Sequence, residues 1–98
     1  MTKKKRMVVV TTDKDRRGVF YGELFSFNEA KQTAKLKNAQ MAIYWSAKTK
    51  GVIGLASIGP QEGSRISPPI PAITLNGVTS VMVTTDVAQK QWEAELWS

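Results

Sequence analysis

The chain has 98 residues, of which 42% are hydrophobic and 22% charged, and its net charge is +6. This composition is typical of a single globular domain and not of a disordered chain. Cysteine and histidine are both absent, which excludes disulfides, thiolate nucleophiles, imidazole general bases and the commonest zinc ligands. We therefore predict a non-enzymatic protein with no catalytic residues, no metal site and no cofactor. The eight acidic residues form no clustered motif, so a hydrolase with two carboxylates is the one enzymatic alternative left open.

The basic residues are concentrated near the N-terminus. Seven of the 14 lie within residues 1–17, beginning with the run Lys3–Arg6, whereas residues 62–98 are slightly acidic. We predict that residues 1–6 form a disordered tail, which serves solubility or attracts polyanions weakly, and that residues 7–98 form one domain. No apolar run approaches the roughly 20 residues of a membrane-spanning helix, and the apolar stretch after the basic run is too short for an export signal. The sequence thus predicts a cytoplasmic protein.

Four strands are predicted in the first half of the chain, over Met7–Thr12, Val19–Phe25, Thr33–Lys37 and Met41–Trp45. The three consecutive valines of the first strand predict burial on both of its faces. Phe20 and Leu24 are predicted to share one face of the second strand, and Ala34 and Leu36 to point inward from the third. Residues 26–29 are predicted to form a turn.

The segment Ser46–Pro71 contains all four prolines and four of the seven glycines. We predict a long ordered loop, because the isoleucines within it need burial. Inside this loop, Val52–Ile58 predicts a single helical turn or a short strand. Asn76-Gly77 then predicts a type I′ hairpin between the strands Ala72–Leu75 and Val78–Thr84.

A C-terminal helix is predicted over Val87–Leu96. Thr84 or Thr85 can cap its N-terminus, with Asp86 in the first turn. Its apolar stripe would contain Ala88, Trp92 and Leu96, and Trp97 would pack beside it. The predicted fold is mainly β (α+β), a compact antiparallel sheet or half-closed barrel of five to seven strands, with this helix covering an edge or a face.

The most site-like segment is Gly59–Arg65. Gly59 and Gly63 would let backbone amides approach a ligand closely, Ser64 supplies a hydroxyl, and Arg65 supplies a planar guanidinium suited to phosphate or carboxylate. The segment lacks the Gly-Lys-Ser/Thr ending of a P-loop. The alternative is that its glycines only turn the chain and that Arg65 pairs with an acidic residue, Glu62 or Asp86.

Aromatic and basic residues precede this loop. Tyr44 and Trp45 end a predicted strand, where adjacent side chains point to opposite faces, so one would pack in the core while the other stacks on a base. Ser46 follows them, and Lys48 adds positive charge. The predicted site for an anionic, nucleotide-like ligand comprises these residues together with Gly59, Gly63, Ser64 and Arg65. The alternative is that both aromatic side chains only pack in the core.

The chain resembles a family of small phage and prophage proteins known as a domain of unknown function. The resemblance covers residues 7–98 and is carried by Arg17–Gly22, Tyr44–Ser46, Gly54–Ala56, Gly59-Pro60, Gly63–Ile66, Gly77–Thr79, Val81, Trp92-Glu93 and Trp97-Ser98. It implies a viral origin and a setting in the host cytoplasm. By analogy with small phage proteins that sequester the cyclic nucleotide signals of host defence, commonly as homo-oligomers, it implies a non-catalytic anti-defence binding protein.

Two further functions stay open at this point. A protein-interaction module, such as an inhibitor of a host protein or a minor virion component, would present an exposed apolar patch, for which Leu96-Trp97 and Pro68–Pro71 are candidates. A nucleic-acid binder would use the basic tail together with Lys31, Lys35 and Lys37. Lysines on a strand face are more commonly just solvated.

Overall fold

A computed structural model describes residues 6–12 and 18–94 of the chain. In chain order, these residues form β1 (Met7–Thr12), β2 (Gly18–Asn28), β3 (Thr33–Tyr44), a 3-10 helix (Ala47–Thr49), α1 (Gly51–Ser57), β4 (Arg65–Ile66), β5 (Ile70–Leu75), β6 (Val78–Val83) and α2 (Asp86–Trp92). The predicted tail up to Lys5, the charged segment 13–17 and the predicted packing of Leu96 and Trp97 lie outside the described residues.

The six described strands form one antiparallel sheet. Their order is β4-β3-β2-β1-β6, and β5 also pairs with β3. Two short strands thus share one edge of β3: β5 pairs with its first half, and β4 pairs with its end, where Tyr44 lies opposite Arg65. The sheet is not closed. The prediction of a mainly β fold with a C-terminal helix is confirmed, and α1 adds a second helix where the sequence predicted a helical turn or a short strand.

Each face of the sheet carries an apolar core. The first core lies under the helices and includes Val9, Tyr21, Leu55, Ala88 and Trp92. The second core lies on the opposite face and draws side chains from five strands, including Val8, Val10, Leu36, Leu75 and Val78. Since β1 separates the two cores, all three of its consecutive valines are fully buried, as predicted, and each contributes about 1.5–3 kcal/mol of hydrophobic free energy.

The chain turns a corner at Asn76-Gly77. No pairing joins β5 to β6 within residues 70–83, because β5 pairs with β3 and β6 pairs with β1. A type I′ turn needs positive φ at both central residues, and here only Gly77 has it, at 68°. The predicted hairpin is therefore wrong. Leu75 and Val78 both point into the second core, so burial holds the two strands at different edges of the curled sheet and overrides the local turn signal.

The second and third strands are longer than predicted. β2 continues to Asn28 and the turn follows at residues 29–32, so the predicted turn at 26–29 is wrong. β3 continues through Asn38, whose φ of 52° accompanies a register shift against β2. Asparagine tolerates this left-handed conformation better than most residues. The bulge bends the strand. On its other edge, β3 pairs with β5 up to Ala39 and with β4 from Ala42.

The helix α2 is fixed at both ends. The Thr85 hydroxyl oxygen accepts the backbone N–H of Ala88 at 3.0 Å, which confirms the predicted N-cap. Near the other end, the fully buried Trp92 stacks on Tyr21, with ring centroids 4.9 Å apart and planes 5° from parallel. The indole N–H of Trp92 donates to the carbonyl oxygen of Leu55 at 2.9 Å. These contacts join α2 to β2 and to α1.

Candidate functional site

The predicted site lies where β3 ends and the chain later returns as β4. Tyr44 and Arg65 are directly opposite residues in this pair of strands, a geometry that holds Cβ atoms about 5 Å apart. The Tyr44 side chain is 56% exposed, and Arg65 is also exposed. The pairing therefore presents a phenol ring and a guanidinium side by side to solvent.

The neighbours of Tyr44 divide between the core and the surface. Trp45 is partly buried and packs against the first core, so the two aromatic residues separate as the strand geometry predicts. Lys48 lies on the 3-10 helix that follows β3 and is exposed. The end of β3 thus carries one exposed aromatic ring, with Arg65 opposite it on β4 and Lys48 four residues further along the chain.

A cluster of hydroxyl groups fixes the loop behind this surface. The backbone N–H of Ser46 donates to the Ser64 hydroxyl at 3.1 Å, and the N–H of Gln61 donates to the hydroxyl of the fully buried Thr49 at 3.1 Å. The Thr49 and Ser64 hydroxyls are 3.4 Å apart. The Ser64 hydroxyl is therefore engaged within the fold, where it ties the start of β4 to the end of β3 and orients Arg65 beside Tyr44.

The two glycines of the predicted site have different surroundings. Gly59 is buried, has a φ of 81°, and donates its amide to the carbonyl oxygen of Gly54 at 2.9 Å. A Cβ on Gly59 would lie 2.9 Å from the carbonyl oxygen of Ala88, so packing against α2 accounts for this glycine. Gly63 has a φ of 94° and is exposed. The structure thus brings Tyr44, Arg65 and the Ser46–Ser64 contact together, and it places Gly59 against α2.

The charge of Arg65 is not neutralised by a neighbour. Within the described residues, no salt bridge joins its guanidinium to Glu62 or Asp86. The same part of the chain holds no group of three acidic residues that could bind a metal ion. An exposed ring beside an exposed guanidinium can stack on a flat molecule and pair with its anionic group.

Tyr21 is a notable residue that the sequence did not single out. Its hydroxyl donates a short hydrogen bond to a carboxylate oxygen of Glu93. Burial, and then this hydrogen bond and the negative charge of Glu93, raise the pKa of Tyr21 well above its ordinary value. Because its ring is almost fully buried against Trp92, Tyr21 holds α2 on the sheet and is not positioned to meet a ligand.

An apolar groove between α1 and β6 was also missed. Its volume is about 310 Å³, and it is lined by Ile53, Ala56, Ser57, Met82, Val83 and Thr85. Ile53 and Val83 are 73% and 71% exposed. The sequence placed the candidate apolar patch at Leu96-Trp97 or Pro68–Pro71 instead; residues 68–71 are exposed. β6 is an edge strand of the described sheet, yet it contains no charged residue and no proline. Edge strands usually carry such residues, so their absence is the one sequence signal that could have indicated the groove.

The chain belongs to the family described as Domain of unknown function (DUF6948), which it matches over residues 5–92. No curated protein and no solved structure matches the chain. None of the described helices is both long enough and apolar enough to span a membrane.

Proposed function

We propose that this protein is a non-catalytic binding protein that holds a small anionic ligand with a flat ring, of the nucleotide class, at Tyr44 and Arg65. One observation carries the proposal: the cross-strand pairing of two exposed side chains, an aromatic ring and a guanidinium that forms no salt bridge within the described residues. The ring would stack on a base, and the guanidinium would form charge-assisted hydrogen bonds to phosphate. Lys48 would add a second positive charge.

The rigid loop behind the pair supports the same proposal. Since the Ser64 hydroxyl accepts the backbone N–H of Ser46 and lies 3.4 Å from the Thr49 hydroxyl, the loop holds Arg65 beside Tyr44 before a ligand arrives. Preorganisation of this kind lowers the entropic cost of binding. With no histidine or cysteine in the chain, the side chains best suited to proton transfer or nucleophilic attack near neutral pH are missing, so sequestration fits the site better than turnover.

In its biological setting, we propose that the protein is made by a phage in the host cytoplasm and sequesters a cyclic nucleotide signal of host defence. The Tyr44–Arg65 pair supports a cyclic nucleotide as the ligand, because its ring and guanidinium suit a base and a phosphate in one molecule. Cyclic nucleotides offer both.

Isothermal titration calorimetry with AMP and with cyclic di-AMP tests the proposal. We expect wild-type protein to bind at least one of them, and Arg65→Ala and Tyr44→Ala each to weaken binding about tenfold or more, because one charge-assisted hydrogen bond or one stacked base contributes about 1.5–3 kcal/mol. Lys90→Ala is the control, since it removes one exposed positive charge from α2.

Thermal melting distinguishes a binding role of Arg65 from a role in stabilising the fold. Arg65→Ala should keep the wild-type melting temperature to within about 3 °C, because exposed substitutions change stability by less than about 0.5 kcal/mol. A large loss of stability would show that Arg65 holds the fold together. Equal binding by Arg65→Ala and the wild type would show that the ligand, if one binds, lies elsewhere.

A second candidate function, a protein-interaction module, is favoured by the groove between α1 and β6. Its exposed Ile53 and Val83 lie beside a strand whose outer edge has no partner in the described sheet. An extended apolar segment of a host protein could add to that edge. Val83→Lys should abolish capture of such a partner while leaving nucleotide binding unchanged, which distinguishes the two candidates in pull-down experiments.

A further inference from the structure

A basic and aromatic surface lies at the opposite end of β3 from Tyr44. Phe25 of β2 is 56% exposed, and two lysines of β3 lie over its ring: Lys37 Nζ is 4.2 Å and Lys35 Nζ 5.9 Å from the ring centroid. Both lysines are exposed. A phenyl ring that is more than half exposed on a soluble domain needs an explanation, since burial is the usual position for phenylalanine.

The N-terminal end of β1 lies beside this surface but belongs to the other face of the sheet. The carbonyl oxygen of Arg6 accepts the backbone N–H of Leu24 at 2.8 Å, and the Leu24 side chain packs against the second core. Lys35 and Lys37 alternate with Ala34 and Leu36, which are buried in that same core. Because directly opposite residues share a face, Arg6 projects away from Lys35 and Lys37.

The rest of this face is nearly uncharged. Ala72 and Thr74 of β5 lie opposite Lys37 and Lys35. Glu23 is the one acidic residue among their cross-strand partners, opposite Lys37, and within the described residues it forms no salt bridge. We call the surface formed by Phe25, Lys35 and Lys37 the Phe25 face. Its two positive charges outnumber the one negative charge of Glu23.

We propose that the Phe25 face binds single-stranded nucleic acid. An exposed ring with flanking cations is the combination that proteins use to bind single strands without sequence preference, because a base stacks on the ring while the cations pair with backbone phosphates. In the free protein the Lys37 ammonium lies over the Phe25 ring in a cation–π contact. When a base takes that position, the flexible lysine side chain turns to the adjacent phosphate. A base buried in a duplex has no free face for Phe25, so single strands are favoured.

This surface is independent of the Tyr44–Arg65 pair. The two are separated along β3, since Lys37 and Tyr44 are seven residues apart, which is about 23 Å if the strand is fully extended. A mononucleotide cannot contact both. Binding of nucleic acid at the Phe25 face and binding of a small nucleotide at Tyr44 and Arg65 can therefore each succeed or fail alone.

Fluorescence anisotropy with a labelled 20-nucleotide oligothymidylate tests the proposal on the full-length chain. We expect Phe25→Ala to weaken binding about tenfold, and the double variant Lys35→Gln/Lys37→Gln to weaken it at least as much. With the two lysines in contact, they should contribute about −1.4 to the slope of the logarithm of affinity against the logarithm of salt concentration. The slope should therefore be less steep by about 1.4 in the double variant, in which both contacts are lost.

The matched control is Lys50→Gln/Lys90→Gln, which removes the same charge from other exposed positions. Binding by this control should stay within about twofold of the wild type. A variant without residues 1–5 separates the tail from the face: its remaining affinity should still depend on Phe25. The proposal is overturned if wild-type protein does not bind, if the control loses as much affinity as the double variant, if Phe25→Ala binds like the wild type, or if duplex DNA binds as tightly as the single strand.

Discussion

Replacing Tyr21 by phenylalanine removes one buried hydroxyl and leaves the ring stack on Trp92 in place. The lost interaction is the hydrogen bond from that hydroxyl to the Glu93 carboxylate. Hydrogen bonds to charged groups contribute about 1.5–3 kcal/mol, and the lower limit applies here because Glu93 is exposed and is rehydrated once its partner is gone. We therefore expect Tyr21→Phe to lower the free energy of unfolding by about 1.5 kcal/mol at pH 7.

The cost should depend on pH in one direction. The pKa of Tyr21 is raised in the folded protein, whereas an unfolded tyrosine ionises near pH 10. The stabilisation is thus complete below about pH 10 and is lost as the pH rises further, by about 1.4 kcal/mol per pH unit. The wild-type advantage of about 1.5 kcal/mol should therefore disappear near pH 11. Other alkaline titrations are shared by both proteins and cancel in the comparison.

Circular dichroism melts of the two proteins between pH 7 and 11 provide the measurement. At pH 7, a loss of about 1.5 kcal/mol corresponds to a melting temperature lower by about 6–12 °C for a domain of this size. Tyr44→Phe is the control, because that hydroxyl lies on an exposed side chain and its loss should cost less than about 0.5 kcal/mol. Equal melting of Tyr21→Phe and the wild type at pH 7, or a constant difference up to pH 11, would refute the role assigned to the buried phenol.

Two further substitutions test how the helices are attached. Gly59→Ala should destabilise the fold by more than about 2 kcal/mol, since it combines a positive φ with a Cβ 2.9 Å from the carbonyl oxygen of Ala88. Gly51→Ala is the control, because Gly51 has a similar φ but open space around it, and it should cost only about 1 kcal/mol. Equal losses of stability in urea denaturation would contradict the close packing of Gly59. Thr85→Ala removes the N-cap of α2 and should cost about 1 kcal/mol; unchanged thermal stability would show that the cap does not limit the helix.

Local sequence patterns predicted those parts of the fold that depend on local burial and capping. The run Val8–Val10 indicated a strand covered on both faces, since polar residues would occupy one face otherwise. The alternation around Ala34 and Leu36 placed both side chains inside, and both are buried. Thr85 was predicted as a helix cap because its short hydroxyl side chain is followed by a helical pattern. In each case the cause and its effect lie within a few residues.

Partner choice between strands could not be predicted in this way. Asn76-Gly77 favours a tight hairpin by its own conformational preferences, but Leu75 and Val78 bury more apolar surface at different edges of the sheet. Likewise, β3 continues through Asn38 and pairs with two strands along one edge, with β5 up to Ala39 and with β4 from Ala42. Both outcomes depend on residues far away in the sequence, and a pattern of local propensities does not contain that information.

The grouping of residues at the candidate site could likewise be predicted where local sequence decides it, and not where distant residues do. The sequence grouped Tyr44, Ser46, Ser64 and Arg65 by residue type and loop composition, and the structure brings these four together. Gly59 belonged to the group only because it lies in the same loop, and its packing against α2 depends on a helix that begins much later in the chain. The contact of Phe25 with Lys35 and Lys37 required the pairing of β2 with β3.

The central position of β1 affects how the protein is made. A ribosome releases this strand early, yet one of its two neighbours, β6, follows about 65 residues later in synthesis. During that delay the nascent chain displays an apolar, β-prone segment that could associate with other copies. Lys3–Arg6 on one side and the charged residues 13–17 on the other flank the segment, and such charged flanks oppose aggregation. We therefore expect the clustering of basic residues near the N-terminus to reduce association between growing polypeptides.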